Sequence, residues 1–437
     1  MAARRVLVTD SDERSALAAC RGLAAAGFDV TAGVSVRPSP GAWSRAVRRR
    51  VRLPEPRLDE AAFVAALERE LRKQPHDALL CATEAAALAV SAQRDRVEGL
   101  CRHGLPSHDV LERCLEKGEL LEIAAAAGLD APPSSLCESA EEAQRAAARF
   151  GFPAMVKPHR SLTGFGTSRA HASSVVIESP EALADAVARF GLPLVVQRRE
   201  AGATIYSVGG VFAGGRLLAS AVSHYVRTWP RRAGSASFSE TVDAPPSLLT
   251  RVERLLSLLG YEGLFEVELI VVDSEFATID FNPRIYGSMA LAEAAGANLA
   301  AIWCDHLLDG GAATTAARAG VRYRFDDAEA RNALFALRRG RLREFLGICR
   351  PRARVTHAYF RWSDPGPFAG RVAQLCWNGL RRARPRIAAP GDPPGFRVRV
   401  QTLAAEAFHW LLAYAVGVPL VLLARLARLL KHAGASR

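Results

Sequence analysis

Two segments constrain this chain more than any other feature: Glu266-Val-Glu268-Leu-Ile-Val-Val and Thr278-Ile-Asp280-Phe-Asn282-Pro-Arg284. Both read as strands, and Asp273-Ser274 reads as the tight turn between them. Side chains alternate faces along a strand, so Glu266, Glu268 and Ile270 share one face, and Asp280 and Asn282 share one face of the partner. A hairpin of this kind can bring carboxylates and an amide oxygen to one spot. Glu268, Asp280 and Asn282 are then candidate ligands for a hard cation such as Mg²⁺ or Mn²⁺. Carboxylates gather in an apolar neighbourhood when a cation neutralises them. A solvated hairpin with one polar face would give the same pattern. Arg284, just beyond Pro283, can offer a planar fork to a phosphoryl or carboxylate oxygen.

The composition singles out a second kind of residue. Among 57 basic residues only Lys73, Lys117, Lys157 and Lys431 are lysines. Arginine serves wherever a generic positive charge suffices, so an interior lysine invites a specific explanation. An ammonium is a compact point charge that fits among phosphate oxygens. Lys157 ends the apolar run Phe152–Val156, and the polar loop Pro158–Thr167 follows it, with Arg160, Gly164 and Gly166. Glycines let backbone N–H groups approach phosphates closely, though an ordinary hairpin loop reads the same way. A third segment, Leu194-Val-Val-Gln197-Arg198-Arg199-Glu200-Ala-Gly202, is a strand running into a turn. It could present backbone groups to an adenine edge, or be a plain connector.

Around these segments the chain alternates between two regimes. Strands at Arg5–Thr9, Asp29–Val34 and Ala78–Ala82 interleave with helices at Ser15–Ala26, Glu60–Lys73 and Ala85–Arg94, the rhythm of an open parallel sheet. Thr9-Asp10-Ser11-Asp12 follows the first strand, where a dinucleotide-binding fold would carry GxGxxG. A helix is expected over Asp109–Ala127, and then strands of antiparallel character from Ala154 to Phe281, with a helix at Pro246–Leu259. A helix over Met289–Leu308 closes this region. The fold class is thus α/β followed by α+β. Expected boundaries are 1–111 for an α/β domain, 112–312 for the second unit (subdomains about 112–197 and 198–312), and 313–437 for a basic C-terminal region.

That last region holds 23 of the basic residues against 7 acidic ones, so the chain's charge of +12 arises there alone. It contains an apolar stretch, 403–430, interrupted by Gly417 and Pro419 and flanked by basic residues on both sides. An interfacial helix on an anionic membrane, packing against the protein's own body or a partner, and a full span are all open readings. The arginine-rich tail lacks an aromatic stacking platform, which argues against nucleic acid. Eight cysteines are scattered singly with no CxxC pair, as expected of reduced core thiols in a cytoplasmic protein. The first apolar run, Val6-Leu-Val8, is too short for a signal peptide. No GxSxG, HExxH or Walker A motif offers a competing chemistry.

In order and spacing, the three segments resemble the ATP-grasp superfamily, specifically its carboxylate–amine ligases and the synthetase halves of carbamoyl-phosphate synthase. The resemblance covers about residues 1–312, with the first α/β region similar to the pre-ATP-grasp domain. It implies ATP and Mg²⁺ (or Mn²⁺), a carboxylate activated as an acyl phosphate, and an amine as nucleophile. Lys117 matches the lysine that opens a helix and reaches the phosphates, Lys157 the second phosphate lysine, and Arg160–Gly166 the loop over the triphosphate. Gln197, Arg198, Arg199 and Glu200 fall at the adenine hinge, and Glu268, Asp280 and Asn282 on the metal ligands. Arg284 and Lys157 would act on the transferred phosphoryl group. Tyr225–Phe238 is similar to the family's substrate-side loop, Arg231, Arg232 and Tyr286 are candidates for an anionic substrate, and a homodimer is compatible with the resemblance. The chain departs from the pattern at Arg198, where an acidic residue is common, at Thr204, where the ribose acid often sits, and at Asp280, where Glu is usual.

Overall fold

The computed structural model describes residues 3–383 except 160–161, 164–169, 172–173, 232, 273–274, 312–313, 351 and 353. Its first unit is built on four short strands: β1 (Arg5–Val8), β2 (Asp29–Val34), β3 (Arg49–Arg52) and β4 (Ala78–Leu80). They are parallel in the order β3-β2-β1-β4. Helices α1 (Arg14–Ala25), α2 (Glu60–Lys73) and α3 (Glu84–Ala92) cover the faces. Val6, Leu7 and Val8 are fully buried, as a strand covered on both faces requires. The N-caps are local: Asp59 accepts from the Ala62 amide, and Thr83 from the Ala86 amide. Strand β3, with sequence Arg-Arg-Val-Arg, has no place in the expected pattern. As an edge strand it has two charged neighbours for every apolar residue, so the alternation is hidden.

The expected helix over 109–127 is two helices, α4 (His108–Leu115) and α5 (Lys117–Ala126). Glu116 breaks them, adopting an extended conformation while its carboxylate caps α5 by accepting from the amides of Gly118 and Glu119. Next comes a small antiparallel sheet of β5 (Ser134–Cys137), β6 (Ala154–Pro158), β9 (Val175–Ile177) and β10 (Leu194–Arg198), in the order β5-β10-β6-β9. Within it, α6 (Ala140–Phe150) precedes β6, the short pair β7 (Leu162–Thr163) and β8 (Ala170–His171) precedes β9, and α7 (Pro180–Phe190) precedes β10.

The largest sheet carries the hairpin. Its strands are β11 (Thr204–Ala213), β12 (Arg216–Trp229), β13 (Ser235–Thr241), β14 (Gly263–Val272), β15 (Glu275–Asn282), β16 (Thr315–Ala316), β17 (Arg322–Arg324) and β18 (Val355–His357). The order is β15-β14-β11-β12-β13-β17-β18, with β16 on β12. α8 (Pro246–Leu259) packs its leucines beneath β14, while α9 (Met289–Ala294) and α10 (Leu299–Asp309) pack against α1. The helix expected over 289–308 is interrupted at Gly296, which takes φ 101°. Gly209 lies under the Tyr286 ring, and a Cβ there would come within 2.3 Å of it.

The basic region enters this architecture directly. β17 and β18 extend the large sheet, followed or accompanied by α11 (Asp326–Arg338), α12 (Leu342–Cys349) and α13 (Gly366–Ala383). The loop before α13 is fastened to the first unit. Asp364 accepts from Arg21 Nε at 2.9 Å, Ser44 Oγ at 2.6 Å and the Arg45 amide at 2.9 Å. Gly366 and Gly370 then let α13 lie against the backbone and ring of Trp43. The apolar stretch 403–430 lies outside the described residues. Among the described residues no helix is long and apolar enough to cross a membrane.

Asp364→Ala leaves Arg21 charged, buried and without its carboxylate. We expect a loss of about 3 kcal/mol or more, read as a lower urea midpoint of unfolding.

Candidate functional site

The site begins with the register of β14 and β15. Glu266 stands opposite Asn282 and Glu268 opposite Asp280; the register then shifts, and Leu269 pairs with Thr278. Ile279 is therefore a bulged residue without a partner. Two consecutive residues, Ile279 and Asp280, consequently face the same cavity. The Thr278 amide is taken by the Asp130 carbonyl, and the Ile279 carbonyl accepts from Lys157 Nζ at 3.1 Å. On the other face, Phe281 stacks with Phe265 and meets Tyr261 edge-on, which fixes the hairpin against the core.

Lys117 reaches the hairpin from the first turn of α5, and its Nζ lies 2.7 Å from Asp280 Oδ1. Lys157 comes from β6; both lysines are 6% exposed. Burial, and then the neighbouring Lys117 charge, push Lys157 down to about 8, against the pull of Asp280 and Glu268. Burial, and then Glu266 and Asp280, push Glu268 up to about 8. Burial alone would raise Asp280, but the two lysines hold it below the usual carboxylate range.

Arg284 completes the cluster. It donates to Glu84 Oε1 at 2.9 Å and to Asn282 Oδ1 at 3.0 Å. Asn282 Nδ2 passes the chain on to Glu266 Oε2 at 3.0 Å, and Glu266 Oε1 accepts from Ser207 at 2.7 Å. Arg284 Nε and Glu84 Oε2 are buried without partners. These groups line a cavity of about 770 Å³ between the first unit and the two sheets.

Donors from the protein meet each expected ligand. Lys117 sits on Asp280, the Tyr225 hydroxyl on Glu268 at 2.7 Å, and Arg284 on Asn282. Accordingly, no preformed group of three His, Cys, Asp or Glu side chains able to hold a metal occurs among the described residues. The donor chemistry nonetheless suits a hard divalent ion. The oxygens are carboxylate and amide, and Glu268 is raised by the very carboxylates whose repulsion a cation would relieve.

The cavity also brings in the hinge. Gln197, Arg198, Arg199 and Glu200 line it. Gln197 donates to Ser134 at 2.8 Å, and Arg198 pairs with Glu200 at 2.7 Å. Arg160, Gly164, Gly166 and Arg232 lie outside the residues whose side chains are described. Arg231 is directed away from the cavity, pairing with Glu344 and lying over the Phe335 ring. Tyr286 is not on the cavity wall. It is buried in the core against Gly209, where glycine leaves room for its ring.

Glu84, not singled out from the sequence, also lines the cavity, as does Tyr225 from the stretch expected on the substrate side. Arg14 donates from Nε to the Gly287 carbonyl and stacks on Phe325 at 4.0 Å. Arg227 is held by Glu329 of α11. Glu266, recognisable on the ligand face from alternation alone, serves as the acceptor that orients Asn282.

Residues 116–199 match the family model for the carbamoyl-phosphate synthase L chain, ATP binding domain. That stretch runs from the cap of α5 through Lys157 to the hinge. Carbamoyl phosphate synthase large chain from Micrococcus luteus is 27% identical over 201 residues, 42% of this chain and 17% of the relative. Formate-dependent phosphoribosylglycinamide formyltransferase from Rhodococcus jostii is 25% identical over 170 residues, 36% of this chain and 40% of the relative. The chain thus spans under half the length of these relatives. Among solved structures, L-amino acid ligase from Bacillus licheniformis superposes with a TM-score of 0.54 at 17% identity, covering 70% of this chain and 74% of that one. The biotin carboxylase domain of Hydrogenobacter thermophilus 2-oxoglutarate carboxylase, solved with MgADP and bicarbonate, gives 0.56 at 16%, covering 73% of each. The fold is ATP-grasp. In ATP-grasp terms, the cavity lies between the first unit and the two sheets that follow it.

The raised Glu268 gives this site a pH signature. Between its ordinary 4.5 and about 8, the folded metal-free protein keeps a proton that the unfolded chain has released. The resulting stability is full below 4.5 and is lost as the pH rises to about 8. Glu268→Gln removes that loss. With chelator present, the urea midpoint of wild type should fall more between about pH 5 and about pH 8 than that of the variant.

Proposed function

We propose that the chain is an ATP- and Mg²⁺-dependent ligase that activates a carboxylate as an acyl phosphate for attack by an amine. One observation supports this reading above the rest. Lys117, Lys157 and Arg284, from three separate elements, converge on Glu268, Asp280 and Asn282 at one end of a cavity. The two lysines buried among the described residues, Lys117 and Lys157, are both there, in a chain that mostly uses arginine.

In this reading Glu268, Asp280 and Asn282 hold the cation, with Glu266 orienting Asn282. A divalent ion held there would supply positive charge against the phosphate oxygens. Lys117 leaves Asp280 for a phosphate oxygen, and Lys157 holds a second oxygen. Arg284, oriented by Glu84, steadies the transferred phosphoryl group. Backbone groups of Gln197–Glu200 face the adenine. A substrate carboxylate oxygen attacks the γ-phosphorus, the bond to the ADP oxygen breaks, and an acyl phosphate results. The amine then forms a bond to the acyl carbon, the carbon–oxygen bond breaks, and inorganic phosphate leaves with the electron pair. Exclusion of water protects the acyl phosphate from hydrolysis.

A second reading rests on the hinge. Arg198 clamps Glu200, the acid nearest the position left by Thr204, which favours a nucleotide-binding protein of low turnover. In that reading the stretch 403–430 would tether the chain to a membrane or a partner.

The two readings separate in one assay. Hydroxylamine, added with ATP, Mg²⁺ and a panel of carboxylates, should trap a hydroxamate and release ADP. Asp280→Asn should lower the rate by about 100-fold or more. Equal rates in variant and wild type would refute the ligand assignment. Binding of MgADP with no carboxylate-dependent ADP release across the panel would favour the second reading.

A further inference from the structure

A second cavity, also about 770 Å³, opens at the carboxyl ends of the parallel strands of the first unit. The loops after β1, β2, β3 and β4 all contribute to it, and α13 closes the remaining side through Gln374, Trp377 and Asn378. Chain order reverses between β1 and β4, and this is where open α/β sheets bind ligands. Glu13, Arg57 and Thr83 line both cavities, so the two adjoin through a common wall.

The floor is short of positive charge. Asp10 is 4% exposed, and both of its side-chain hydrogen bonds, from Thr9 and Thr83, reach Oδ2. Among the described residues no donor reaches Oδ1. Asp12 accepts a 3.3 Å bond from Ser35. Burial and the neighbouring carboxylates Asp12, Glu55 and Glu13 push Asp10 up to about 7. Arg57 lies 3.7 and 4.0 Å from Glu13 and Glu55, with its Nε buried and making no hydrogen bond among the described residues, and Arg371 of α13, also on the lining, is paired with Asp327. The rim has the opposite character: Arg37 and Arg52 are exposed there and make no ion pair among the described residues.

We propose that this second cavity seats the amine substrate of the ligase, and that this substrate is a primary amine carrying an anionic group. The ammonium donates to the open oxygen of Asp10 and to Asp12 on the floor. The carboxylate or phosphate of the same molecule meets Arg37 and Arg52 at the rim. Trp377 of α13 covers the carbon body between them. Asp10 takes a proton from the ammonium, and the free amine passes Glu13 and Thr83, which line both cavities, to attack the acyl phosphate. The assignment of amine to this cavity rests on the ligase reading above, while the binding itself can be measured without nucleotide.

The probes are O-phosphoethanolamine, β-alanine, propylamine and monoethyl phosphate, titrated into the full chain by calorimetry. The two zwitterionic probes should bind. Propylamine, without the anion, and monoethyl phosphate, without the amine, should each bind about tenfold more weakly or worse. Asp10→Asn should weaken every amine-bearing probe about tenfold. This variant retains an oxygen for the threonine hydroxyls, and asparagine tolerates the left-handed backbone at position 10 (φ 52°). Arg52→Glu, at an exposed position, should weaken only the probes that carry an anion. The proposal falls if no zwitterionic probe binds wild type at about 10 mM, if monoethyl phosphate binds as well as O-phosphoethanolamine, or if folded Asp10→Asn binds like wild type. Lys157→Ala separates the two claims: it should lose MgADP and retain the amine probes. If wild type binds the probes but not MgADP, the ligase reading fails and this cavity's ligand class stands.

Discussion

The contact between Lys117 and Asp280 is the constraint around which this structure is arranged. Lys117 is buried and Asp280 only partly so, and a buried ammonium is unfavourable without a carboxylate beside it. To bring them together, α4 and α5 must break at Glu116, and β15 must bulge at Ile279. The bulge also frees the carbonyl that receives Lys157. A third cation, Arg284, is balanced by Glu84 from the first unit, so the charges of one cluster are drawn from three different parts of the chain. The cluster sets its own cations against its own carboxylates, and Glu268, Asp280 and Asn282 each have an oxygen on a protein donor, while Glu84 Oε2 has none. A ligand of high negative charge with its counter-cation can exchange for these internal partners one for one.

Much of this was legible in the residues. Alternation along Glu266–Glu268 and Asp280–Asn282 fixes which side chains share a face, and the rarity of lysine points to Lys117 and Lys157. Strand β2 and helices α2 and α8 have the bounds their apolar periodicity implies, Asp29–Val34, Glu60–Lys73 and Pro246–Leu259. Other features left weaker marks. The bulge at Ile279 depends on pairing across the hairpin, which no local pattern records. The break at Glu116 is made by a carboxylate capping its own helix, and glutamate is an ordinary residue within helices.

The substrate side was the least legible because its determinants are tertiary. Tyr286 stands two residues beyond Arg284, yet the space above Gly209 takes its ring into the core. Arg231 is occupied by Glu344, more than a hundred positions away. Arg14 stands one residue before the helix expected over Ser15–Ala26, and only its packing on Phe325 shows it as part of the cavity wall. The basic region, which looked separate by composition, supplies that phenylalanine and the Glu329 that holds Arg227.

The buried pair of Arg21 and Asp364 has a consequence for synthesis. The chain emerges from the ribosome N-terminus first, and domains generally fold as they appear. The first unit cannot finish in that way. Arg21 is made early and lies in α1, while the carboxylate that neutralises it arrives 343 residues later. The large sheet has the same property, since β17 and β18 reach its edge beside β13 only after the hairpin is made. Until then the nascent chain holds an arginine awaiting burial and an open strand edge. Completion of the first unit and completion of the sheet are therefore one late event, and the second half of the chain acts as the template that closes the first.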